Sequence, residues 1–90
     1  MTKQIWVFNG AGGRFPSGVF SSRESAASWI RQRGLTGVLT AYPLNEGAYE
    51  WAVANRFFTP KSDEHTSSEF IQRFTSASQE HFHFENGDLV

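Results

Sequence analysis

The sequence predicts a small α+β domain: a mainly antiparallel sheet with two or three helices packed on it, in the order β-β-α-β-α-α-β. Three observations carry this reading. Runs rich in β-branched and aromatic residues, "KQIWVF", "TGVLTAYPL" and "QEHFHFENGDLV", read as strands. Pairs with capping-box spacing, Ser21 with Glu24 and Thr66 with Glu69, each open a run with helical periodicity. Strands occur both before and between the helices, which argues against an all-parallel layout.

The first strand, "KQIWVFNG", has apolar side chains on both faces, which suits a central strand or one whose second face meets a partner. "NGAGGRFPSG" follows, with four glycines in ten residues. A phosphate-cradling loop must open directly into a helix, and here "FPSGVF" resembles a further strand instead. The loop therefore reads as a hairpin connection, with Arg14 at its tip as the one feature suited to an anion. Next, "SSRESAASWIRQRGL" places Ala26, Ala27, Trp29 and Ile30 on one helical face. Gly34 supplies a left-handed stop, and Leu35 folds back onto Ile30. Arg31 and Arg33 complement the dipole in the last turn, a structural account of both cations.

In "TGVLTAYPL", Val38, Thr40, Tyr42 and Leu44 share one side and Leu39 and Ala41 the other, with Pro43 marking an edge or the strand's exit. "NEGAYEWAVANRFF" reads as a helix capped by Asn45, with Glu46 in its first turn. Ala48, Tyr49, Ala52 and Val53 face inward, and Trp51 lies off that stripe. "TPKSDEHTSS" is polar throughout and reads as a surface loop carrying His65. A short helix through "SEFIQRFTSA" then turns Phe70, Ile71 and Phe74 inward.

Ninety residues fit one domain, residues 1–90, with no room for a second core. So short a chain buries a modest share of its surface, and the absence of cysteine removes the disulfide staple. Nine Phe, three Trp and two Tyr compensate, since each such ring buries roughly 150–250 Å². The formal charge is −1 with no basic stripe, which disfavours nucleic acid as a partner. No stretch approaches the ~18 apolar residues of a membrane span, and "MTKQIWVF" lacks the apolar run of a signal peptide. A soluble cytoplasmic protein is the expectation.

The segment "SASQEHFHFENG" decides whether the chain carries chemistry. Alternation in a strand puts His81, His83 and Glu85 on one face and Phe82 and Phe84 on the other. Two imidazoles and a carboxylate resemble a metal-ligand set. Same-face residues lie ~7 Å apart, so convergence on one ion needs favourable rotamers and a third ligand, for which His65 is a candidate. The simpler reading is a half-buried strand with phenylalanines in the core and histidines in water. For catalysis, Ser21, Ser76 and Ser78 are explained by caps and turns, and no nucleophile elbow is present. Glu80 and Glu85 have nothing to fix their separation as an acid pair. No catalytic residue, metal or cofactor is expected.

Together "IWVFNG", "RFPSGVFSS", "LTGVLTAYPLNEG", "WAV" and "FTSASQEHFHFENG" resemble a family of small bacterial proteins catalogued as a domain of unknown function. The resemblance runs from Ile5 to about Gly87 and joins several fixed segments rather than one loop. It implies a bacterial, stand-alone, soluble domain, and it brings no activity or ligand residue with it.

Two functional expectations result. The first is a non-catalytic interaction protein acting on a protein partner through an aromatic surface, with Trp6, Arg14, Trp51, His81, His83 and Glu85 as its candidate residues. Surplus Trp and Arg suit this, because those residue types commonly carry interface energy. Among bacterial proteins of this size and chemical emptiness, an immunity-type inhibitor of a toxin is the natural subclass. The alternative is a metal- or small-ligand-binding protein using His81, His83 and Glu85, with Tyr42 nearby. A homodimer would cover the second face of the first strand.

Overall fold

The computed structural model describes residues 3–90, which divide into two compact units. One combines the chain up to Leu44 with Gln79–Val90, and the other is the intervening segment Asn45–Ser78.

The first unit is a five-stranded antiparallel sheet with one helix, so the fold is α+β. Its elements are β1 (Gln4–Gly10), β2 (Gly18–Phe20), α1 (Arg23–Arg33), β3 (Gly37–Pro43), β4 (His81–Glu85) and β5 (Asp88–Leu89). Their spatial order is β2-β1-β3-β4-β5, with every pairing antiparallel. The glycine-rich segment is a hairpin connection, as expected. The Gly13 N–H closes a turn on the Gly10 carbonyl at 3.0 Å, and β2 returns antiparallel along β1.

The register sorts the side chains into two faces. Trp6 and Phe8 of β1, Leu39 and Ala41 of β3 and Phe84 of β4 pack with Ala26 and Ile30 of α1 into one buried cluster. Phe20, Ala27, Trp29, Leu35 and Phe82 border it. Trp29 stands edge-on to Phe8, with ring centroids 5.6 Å apart and planes at 86°, a favourable quadrupolar arrangement. The opposite face carries Ile5, Val7, Val38, Thr40 and Tyr42, all half-buried, with Val19, His81, His83 and Glu85 exposed.

Helix α1 begins one residue later than the capping-box spacing implies. Ser22 is the N-cap, and its hydroxyl accepts the Ser25 N–H at 3.1 Å. Ser21 and Ser22 offer equivalent hydroxyls, and the register that buries Ala26 and Ile30 selects the second. The helix ends as the sequence indicates. Gly34 is left-handed at φ 63°, its N–H bonds the Arg31 carbonyl, and the Leu35 N–H bonds the Ile30 carbonyl at 3.0 Å.

Two features of this unit go beyond the sequence expectations. Asn86 (φ 52°) and Gly87 (φ 90°) make a tight turn with both residues left-handed. That turn adds the short strand β5, where a single closing strand was expected. Pro43 ends β3 and pairs with Gln4, so it marks an exit and not an edge.

The second unit contains α2 (Ala48–Ala54), a 3-10 turn over Asp63–Thr66 and α3 (Ser68–Gln72). Here too the caps differ from expectation. Gly47, not Asn45, caps α2, and Asn45 instead takes a left-handed turn conformation at φ 63°. Ser67, not Thr66, caps α3, accepting the Phe70 N–H at 3.2 Å. Helix α2 stops before Phe57 and Phe58. The Asn55 side chain donates to the Trp51 carbonyl at 2.8 Å and Arg56 turns left-handed at φ 63°, which throws both phenylalanines out of the helix.

Candidate functional site

Unit Asn45–Ser78 is held together by rings. Phe58 lies 5.6 Å from Phe70 in a stacked arrangement and 5.2 Å from Phe74, and Tyr49 stands edge-on to Phe74 at 5.4 Å. His65 joins this cluster, 4.9 Å from Phe70 and 5.4 Å from Phe58. Its Nδ1 accepts the Lys61 N–H at 3.0 Å, so the ring packs in the cluster and closes a turn. Yet burial is incomplete. Among the described residues of this unit only Ala52 is fully buried, and Tyr49, Phe58, Phe70 and Phe74 all remain partly open.

Beside the cluster runs a groove of about 580 Å³ lined by Phe57, Phe58, Phe70 and Phe74, with Arg73 and the polar run Thr75–Ser78 along it. Phe57 is 51% exposed and its ring packs on Trp51 at 5.3 Å. Arg73 bonds the Glu69 carbonyl through Nε at 3.1 Å and pairs with the Glu69 carboxylate at 3.7 Å, which holds its guanidinium at the groove. The groove thus has an aromatic floor and a polar margin.

The sequence-derived candidates are distributed unevenly. Trp51 belongs to the edge of this aromatic surface, half-buried against Phe57. Trp6 does not belong to any surface, and this corrects the expectation. It is 9% exposed, within the α1 cluster and 6.0 Å from the Phe82 ring. Both faces of "IWVF" are apolar, so alternation alone left open which side met the helix. Arg14 is exposed at the β1–β2 loop tip, its guanidinium 5.8 Å above the ring of Phe15, itself 73% exposed.

On β4, His81 and His83 are exposed while Phe84 is buried, as alternation requires. Their imidazoles lie side by side, with centroids 5.7 Å apart. Glu85 is exposed on the same face of β4. Among the described residues no three His, Cys, Asp or Glu side chains are grouped to hold a metal.

A family model described as "Domain of unknown function (DUF7710)" matches residues 5–90. The chain belongs to this family. Comparison with curated proteins and with solved structures gave no match. The family match spans both units, so the aromatic segment Asn45–Ser78 is part of the family's domain and not an addition to it.

Two features of the structure differ from what the sequence indicates. The sequence places Phe57 and Phe58 in a helix, whereas α2 ends at Ala54, before the Asn-Arg step. Gln79 carried no signal at all. It is 2% exposed, and its side-chain amide donates to the Ala41 carbonyl at 3.2 Å, tying the start of β4 to β3.

Proposed function

We propose that this chain is a non-catalytic interaction protein that binds a protein partner through the aromatic groove of Asn45–Ser78. The observation that carries this reading is the open state of the ring cluster around Phe57, Phe58, Phe70 and Phe74. Exposed rings cost solvation free energy, at roughly 25 cal/mol per Å² of apolar surface, and a partner that covers them recovers it. Phenyl and indole groups also lose little rotamer freedom on binding, which suits them to anchor an interface. Arg73 favours a partner presenting a carboxylate beside apolar side chains.

Within that class, the chain acts in a bacterial cytoplasm as an immunity-type inhibitor of a co-encoded toxin. The short chain and the absence of cysteine support this narrower reading. The test is coexpression with the product of the neighbouring gene. Growth should be rescued by the wild-type chain and not by Trp51→Ala, with both proteins folded to the same extent. Rescue by the variant, or a neighbouring product that is harmless without this chain, would remove the proposal.

A further inference from the structure

On the exposed face of β4 the imidazoles of His81 and His83 are separated by 5.7 Å between centroids, with planes at 80°. Two imidazoles bound to one ion through nitrogens at about 2.0–2.1 Å place their centroids roughly 5 Å apart, so a small rotamer adjustment closes the difference. Alternation on a strand puts both rings on the same side, and both are exposed to an incoming ion.

A second, independent feature concerns His81 alone. Its Nδ1 lies 2.7 Å from the Gln79 carbonyl oxygen. A carbonyl only accepts, so Nδ1 carries the proton and the lone pair is on Nε2. Metal-binding histidines characteristically donate their other ring N–H to a backbone carbonyl or carboxylate, which fixes tautomer and ring orientation. Here the carbonyl is itself anchored. The Gln79 side chain is buried and bonded to the Ala41 carbonyl at 3.2 Å, and the Ala41 N–H bonds the Glu80 carbonyl at 2.9 Å. Buried Ala41 of β3 thus helps set the geometry of an exposed imidazole.

We infer that His81 and His83 form a two-imidazole chelate for a divalent d-block ion of the imidazole-preferring class, with Cu²⁺ held more tightly than Zn²⁺. Water fills the remaining coordination positions, and Glu85 is not a ligand. None of the groove residues belongs to this site, and neither proposal depends on the other.

The experiment is titration of CuCl₂ and ZnCl₂ alone into the purified chain in a non-coordinating buffer, read by calorimetry and by imidazole NMR signals. One equivalent per chain is expected, with the ring signals of His81 and His83 moving and those of His65 unchanged. His81→Ala and His83→Ala should each weaken binding by roughly tenfold or more, the scale on which even outer-shell partners act, and Glu85→Gln should leave it unchanged. Both histidines are exposed, so unchanged thermal unfolding serves as the folding control. Absence of saturable binding, or a loss confined to one of the two alanine variants, would overturn the inference.

Discussion

At Gly37 an added Cβ would collide with the Asn9 carbonyl oxygen and come within 2.7 Å of the Phe8 ring and 2.8 Å of the Gly10 Cα. Two of these are backbone atoms in a paired strand, and Phe8 is 1% exposed, so none can yield cheaply. Gly37→Ala should therefore destabilise by about 1–3 kcal/mol, the usual cost of overpacking, measured by urea unfolding. Phe8→Ala acts in the opposite sense, opening a cavity, and should cost about 3–5 kcal/mol by the same measurement. Residue identity revealed some of this and hid the rest. The apolar nature of Trp6 was plain, but its direction was not. Gln79, a residue type that normally meets water, is buried because its amide finds the Ala41 carbonyl, a partner 38 residues away that no local pattern reveals.

Elements were more legible than residues, because hydrophobic period is a local property. The two faces of β3 and β4 follow directly from alternation, and α1 from the spacing of Ala26, Trp29 and Ile30 with Gly34 behind them. Helix starts were less legible. "SS" before α1 and "TSS" before α3 each offer adjacent hydroxyls of equal capping ability, and only packing chooses between them. The choice is measurable at α1. Ser22→Ala should cost about 1 kcal/mol by losing the acceptor for the Ser25 N–H, while Ser21→Ala should lie within about 0.5 kcal/mol of wild type. Equal losses at both positions would mean that the cap is shared or placed differently. The Asn86-Gly87 dipeptide is a strong hairpin signal, and the turn it forms adds β5 beyond the last expected strand.

At the scale of the whole molecule, the described residues fall into two units with different kinds of core. The sheet unit buries Phe8, Ile30 and Leu39 to 1% exposure or less, whereas the aromatic unit fully buries Ala52 alone among its described residues. Local stability follows burial and contact density. Amide hydrogens of β1 and β3 should therefore exchange at least about tenfold more slowly than those of α2 and α3 in native-state hydrogen exchange. Comparable protection in both sets would contradict the difference in core quality. Length and composition did not show this division, since ninety residues with fourteen aromatic rings are compatible with one core or with two small clusters. No helix among the described residues is long and apolar enough to cross a membrane. The most direct test of the groove as the binding surface is calorimetric titration of the proposed partner, the product of the neighbouring gene, into wild type, Phe57→Asp and Val19→Asp. Phe57 and Val19 are 51% and 62% exposed, so both variants should fold. Phe57→Asp is expected to weaken binding by roughly 30-fold or more, about the 2 kcal/mol of a hot spot, while Val19→Asp retains wild-type affinity. Equal affinity in Phe57→Asp and wild type would contradict the account.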